Sequence, residues 1–189
     1  FVEKQLAKMC PDAVPPWSHY RWPPSAGAHD TVGTVDVVSV TNISHRLGPD
    51  GWLRWTPPPG EWCVVRFGMA PTMVSNHPAA PEGRGLEVDK LNRAHVRHHL
   101  RSYVGQLCER MTERDRRAFR WVVADSYETG AQNWTDEFRE HFRARYGYDP
   151  LPWLPTVLGQ VVSSPDRSDR FLWGLRRLIA DRIATEYVG

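Results

Sequence analysis

VVADSYETGAQNWTDEF, Val122 to Phe138, is the stretch on which the reading of the fold turns. It opens as an apolar, β-branched run. It then delivers Asp125, Ser126, Tyr127 and Glu128 in succession, and after Gly130 it resumes as the start of a helix. A strand that ends on carboxylates just before a helix is the βα step of a parallel sheet. In such sheets ligands meet the carboxyl ends of the strands.

Working outward, Glu61 to Ala70 (EWCVVRFGMA) reads as a second buried strand, and 71–88 as a long loop of the length that usually carries function. A helix follows, with Asp89 as a candidate cap and Leu100, Tyr103, Val104, Leu107, Cys108 and Met111 on one apolar face. Phe119 to Ala124 returns to strand. Asn133 or Thr135 starts a helix that buries Phe138 and Phe142 and stops around Gly147. DPLPWLP, Asp149 to Pro155, is a proline-punctuated loop, and a last helix starts near Pro165 and Asp166. On the other side, Val35 to Val40 is a β-branched run and Asp50-Gly51 a turn signal. Residues 31–60 therefore read as an antiparallel β-hairpin excursion, and 61–189 as βα units.

The class is α/β. A doubly wound sheet and a (β/α)8 barrel both fit this rhythm. A complete barrel takes roughly 200 to 250 residues, so the chain of 189 residues would supply part of one. It opens on FVEKQLAKM, as if a helix were already under way, and ends at EYVG. Both ends read as cuts in a longer protein.

Composition narrows the function classes. A hydrophobic fraction of 41% and a charged fraction of 24% are globular values. The net charge of +2 comes from basic residues interleaved with acids, as in ERMTERDRRAFR, Glu109 to Arg120. That pattern is a solvated helix face, not a nucleic-acid patch. No stretch approaches the roughly 18 apolar residues of a membrane span. Cys10, Cys63 and Cys108 are too scattered for a disulfide framework. His95 and His99 stand at helical i, i+4 spacing, but no zinc-protease glutamate lies between them.

The chemistry-bearing groups concentrate in two segments. Asp125 and Glu128 sit where a carboxylate would serve as general acid, general base, metal ligand or acceptor for sugar hydroxyls. Each would equally serve as a helix cap or ion-pair partner. In GRGLEVDK, Gly83 to Lys90, Glu87 and Asp89 would lie near the same rim, with Lys90 a charge partner. Nine tryptophans suit stacking on sugar rings, with Trp134 and Trp153 nearest the rim loops. Trp52, Trp55 and Trp62 read as packing pairs in the hairpin.

Taken together, Trp22-Pro23, PPGEWCVVRFG (58–68), NHPAAPEGRGLEVDK (76–90), ADSYETGAQNWT (124–135), RYGYDPLPWLP (145–155) and RFLWGLRR (170–177) resemble the catalytic region of glycoside hydrolase family 106. These are α-L-rhamnosidases and related large bacterial enzymes. The resemblance covers nearly the whole chain and keeps the motif order. It implies a partial (β/α)8 barrel within a multidomain, secreted or periplasmic enzyme, completed by the remaining barrel and accessory β-domains. The implied substrate is an oligosaccharide or polysaccharide bearing terminal α-L-rhamnosides, cleaved by an inverting, calcium-assisted, two-carboxylate mechanism. Glu128 carries over as one catalytic carboxylate. Asp125, Tyr127, Asn133 and Trp134 carry over as its neighbours in the site. Glu87 and Asp89 match the second signature, and Asp125 and Glu87 are the candidate calcium ligands. The second catalytic carboxylate is expected beyond Gly189. Two departures, MAPTMVSNH after RFG and Gly174 where the RFLW motif continues with an acid, leave room for a catalytically silent carbohydrate-binding homologue.

Overall fold

Among the described residues, helices rather than strands carry the regular structure. The computed structural model describes residues 33–123 and 132–189. The expected N-terminal helix end, the Trp22-Pro23 motif and the segment holding Asp125, Tyr127 and Glu128 lie outside the described residues. In chain order the helices are α1 (Arg93–Leu100), a π-helical continuation (Arg101–Gly105), α2 (Gln106–Arg110), α3 (Glu113–Ala118), α4 (Phe138–Tyr146), a 3-10 segment (Leu151–Leu158), α5 (Pro165–Arg182) and a π-helical end (Ile183–Val188). Single 3-10 turns stand at Val37–Ser39, Ser44–Arg46 and Pro81–Gly83.

The expected partial (β/α)8 barrel with its hairpin is not found. Among the described residues there is no strand and no sheet, only isolated bridges at Val35–Val162, Leu47–Leu53 and Ser75–Leu86. The reason lies in what a strand requires. β-branched content says that a segment fits a pleated, half-buried surface, but the ladder needs a partner for its N–H and C=O groups. Residues 61–70 make no ladder with any described segment, and Val64 and Phe67 remain 54% and 42% exposed. Val123, at the end of the other expected strand, is 85% exposed. The hairpin of 31–60 contracts to one bridge around Gly51, whose φ of +81° suits glycine, with the Gly48 N–H donating to the Trp52 carbonyl at 2.9 Å. Val37 to Ser39 turn as a 3-10 helix because the Asp36 carboxylate accepts from the Val38 N–H at 3.1 Å.

Contacts divide the chain into two units: Phe1–Gly68 with Arg139–Leu175, and Met69–Phe138 with Arg176–Gly189. In the first, Phe142 is the hub of an aromatic core. Its ring lies 4.7 Å from Tyr146, 5.2 Å from Tyr148 and 5.6 Å from Phe171. Phe142 and Phe171 are fully buried, a contribution of about 2–3 kcal/mol each. Arg139 clamps Asp149 through two parallel hydrogen bonds of 3.0 and 2.6 Å, fixing the turn after α4. That helix ends where expected, at Gly147, which takes φ +77° and donates its N–H to the Arg143 carbonyl. The loop expected over 149–155 winds instead into the 3-10 segment, closed by Gly159 at φ +91°.

One detail of this unit shows how a bridge survives without a sheet. Val35 donates to the Val161 carbonyl and accepts from the Ser163 N–H, which occupies one edge of the 161–163 segment. The other edge belongs to Val162, and the buried Ser168 hydroxyl takes both of its groups: it accepts from the Val162 N–H at 2.9 Å and donates to the Val162 carbonyl at 3.0 Å. A side chain of α5 stands where a neighbouring strand would be.

In the second unit, Asn92 rather than Asp89 caps α1, accepting from the Ala94 and His95 N–H groups. Along the helix from Arg93 to Arg110, Val96 is buried, but Leu100, Tyr103 and Leu107 are 44%, 63% and 42% exposed. The face expected to be buried from its periodicity is therefore not buried: the π-helical stretch Arg101–Gly105 interrupts the α-helical spacing, and periodicity does not supply the surface that would cover it. The long loop is closed by Asn76: its side chain donates to the Gly83 carbonyl at 3.0 Å and accepts from the Gly85 N–H at 2.8 Å. This closure sets the course of GLEVDK into α1.

Candidate functional site

The second unit brings the two signature segments together. Gln132 lies against GLEVDK as a backbone strand would. Its amide nitrogen donates to the Val88 carbonyl at 2.7 Å, and its amide oxygen accepts from the Lys90 N–H at 3.0 Å. Farther along, the buried Thr135 hydroxyl donates to the Asp89 carboxylate at 2.5 Å. The other Asp89 oxygen accepts from the Leu91 N–H at 2.9 Å. QNWT and GLEVDK are thus held in one register by side chains.

Around this seam stands a set of ionisable groups. His95 lies between two carboxylates, with Nδ1 3.5 Å from Asp89 and Nε2 3.7 Å from Asp136. Glu87 pairs with Lys90 at 3.0 Å. Arg182 donates through two nitrogens to the Leu91 carbonyl, at 3.1 and 2.9 Å, and so fixes the turn into α1. Glu186 links Arg93 and Arg182 at 2.8 and 3.4 Å. Burial works against the Glu186 charge, but its hydrogen bonds to Arg93 and Thr185 and the charges of both arginines outweigh it and hold its carboxyl below the usual range.

Of the residues singled out from sequence, Glu87, Asp89, Asn133 and Trp134 are half-buried in this unit. Trp134 rests on Phe138 with ring centroids 4.7 Å apart. Trp153 belongs to the first unit, where it packs 5.8 Å from Tyr148 and 6.2 Å from Phe171 as part of the aromatic core. Catalytic candidate Glu128 and its neighbours Asp125 and Tyr127 lie outside the described residues. Gln132, Thr135 and Tyr187 were not singled out as site residues. Gln132 stood inside the quoted QNWT motif, but an amide that mimics a strand partner leaves no periodic trace. Tyr187 lies about a hundred residues from GLEVDK, with no local signal to connect the two.

Calcium takes about six to eight oxygen ligands, and of the two candidates for it Asp125 lies outside the described residues. Among the described residues no group of three or more His, Cys, Asp or Glu side chains is placed to hold a metal ion. Glu87, the other candidate, pairs with the Lys90 ammonium through one of its two oxygens.

The comparisons with known proteins agree with the family resemblance. A family model of glycoside hydrolase family 106, described as alpha-L-rhamnosidase, matches residues 2–189. This chain belongs to that family. A curated relative from Formosa agariphila, named "Putative beta-glucuronidase", is 36% identical over 148 residues, covering 78% of this chain and 13% of the relative. The solved structure of a rhamnosidase from Novosphingobium sp. PP1Y matches with a TM-score of 0.68 and 36% identity, covering 84% of this chain and 16% of that one. The chain therefore spans about one sixth or less of the length of these relatives.

Proposed function

We propose that this chain forms part of the catalytic region of a glycoside hydrolase that removes terminal α-L-rhamnosyl groups from oligosaccharides or polysaccharides. The family match across residues 2–189 carries the reading, and the rhamnosidase structure supports it. The proposed chemistry is inversion by two carboxyl groups. One protonates the leaving oxygen and the other activates a water on the opposite face, with about 6.5–9.5 Å between them. Glu128 is assigned one of these roles. Glu87, Asn133 and Trp134 are assigned to the sugar, the first two through hydroxyl contacts and Trp134 through its apolar face.

The test is release of L-rhamnose from an aryl α-L-rhamnoside by the full-length protein, with an aryl β-D-glucuronide run in parallel. The second substrate follows from the name of the Formosa relative. Rhamnose release by wild type, reduced at least about 10³-fold in kcat by Glu128→Gln with binding retained, is the expected result. Glucuronide cleavage alone replaces the substrate. Binding of rhamnoside without cleavage favours a silent sugar-binding homologue.

A further inference from the structure

Lys90 is the most deeply buried ionisable side chain in the described part of the seam, at 5% exposure, while its partner Glu87 is 20% exposed. A lysine is rarely buried this far without a partner, because stripping an ammonium of water costs several kcal/mol. Here the ammonium has two evident supports: the Glu87 carboxylate at 3.0 Å and the Tyr187 ring, 5.2 Å from the nitrogen to the centroid. Its backbone is fixed as well, since the Lys90 N–H donates to Gln132, which also holds Val88. Glu87 is anchored at its own N–H, which donates to the Val74 carbonyl at 2.8 Å.

The pair therefore has a direction. Its cation is inward and its carboxylate is the outer member. One carboxylate oxygen is tied to the ammonium, and a carboxylate offers about four lone-pair positions across its two oxygens. The result is an acceptor held from beneath, with capacity left for donors arriving from outside.

Resting on the functional reading above, we propose that Lys90 is a positioning residue: it holds Glu87 as a fixed acceptor for the hydroxyls of the bound sugar. A pre-organised acceptor forgoes the ordering cost that a free glutamate meets on binding. A purely structural lysine would affect stability alone, whereas this role places its effect in sugar affinity.

The experiment uses the full-length protein and L-rhamnose as the probe. It compares wild type with Lys90→Met, Lys90→Arg and Glu87→Gln by calorimetric Kd, by KM and kcat on an aryl α-L-rhamnoside, and by Tm. Methionine fills the buried volume but removes the cation beside Glu87, so Lys90→Met is expected to lower Tm while the protein still folds. It should weaken rhamnose binding and raise KM about 10-fold, with kcat changed far less. Lys90→Arg restores part of the loss. Glu87→Gln weakens binding similarly and also lowers Tm, because it removes the carboxylate beside the buried ammonium. Wild-type Kd and KM in Lys90→Met overturn the proposal. If that variant does not fold, a raised Kd in Lys90→Arg or Glu87→Gln supports the proposal, and wild-type values in both overturn it. A wild-type protein that neither binds nor cleaves rhamnosides removes the functional reading and the Lys90 role together. A cleaving wild type with an unaffected Lys90→Met removes only the Lys90 role.

Discussion

The Thr135 hydroxyl donates to the Asp89 carboxylate across 46 residues of chain, and Thr135 is almost wholly buried. This contact sits at the seam between GLEVDK and QNWT. It explains why Asp89, expected to cap a helix, leaves that task to Asn92 and instead joins two segments. Thr135→Val keeps the shape and removes the donor. The expected cost is about 1.5–3 kcal/mol, the range for a hydrogen bond to a charged group, read as a lower urea midpoint. Thr135→Ser should recover most of it. A wild-type midpoint in Thr135→Val would show that the seam does not depend on this bond.

Two buried hydroxyls of the first unit should respond oppositely to removal. Ser168 bonds both backbone groups of Val162, but the Val162 carbonyl also accepts from the Ser164 N–H at 2.7 Å, so Ser168→Ala strands the Val162 N–H alone and should cost about 1–3 kcal/mol. The Thr156 hydroxyl is buried with no hydrogen-bond partner among the described residues. Thr156→Val should therefore be neutral or stabilising by up to about 1 kcal/mol. Equal losses in the two variants, measured by urea unfolding, would contradict this accounting.

Acid should release the Asp149 clamp. The hydrogen bond from Arg139 holds the Asp149 carboxyl below its ordinary value, against a smaller opposing effect of burial and with further help from the Leu151 N–H. A carboxyl depressed in the folded state contributes stability above its unfolded pKa, about 3.9. That contribution disappears as pH falls through the lower folded value. The stability gap between wild type and Asp149→Asn should thus be largest near neutrality and shrink below about pH 4. Because the pair is about one-third exposed, solvent screening keeps the gap below about 1 kcal/mol. A gap independent of pH would assign it to packing.

Much of the helical part was legible from residues. The end of α4 at Gly147 and the start of α5 at Pro165 follow from backbone chemistry that a glycine and a proline impose locally. Phe138, Phe142, Phe171, Leu175 and Leu178 are buried as their helical spacing requires. The expected strands do not form among the described residues. Val64, Phe67 and Val123 have strand chemistry, but a ladder is a relation between two segments, and spacing within one segment carries no record of its partner.

The candidate site divides in the same way. The motif order and the residue types of GLEVDK and QNWT, present in the sequence alone, were enough to point to the family that residues 2–189 match. Only the tertiary structure decided that Gln132 stands in for a strand beside Val88 and Lys90, that Thr135 holds Asp89, that Trp153 packs in a core, and that Tyr187 lies under the Lys90 ammonium. Local elements follow from dihedral and capping preferences that act within a turn or two. A buried charge and its partners are chosen by which distant surfaces exclude water together, and that is settled only when the chain has folded.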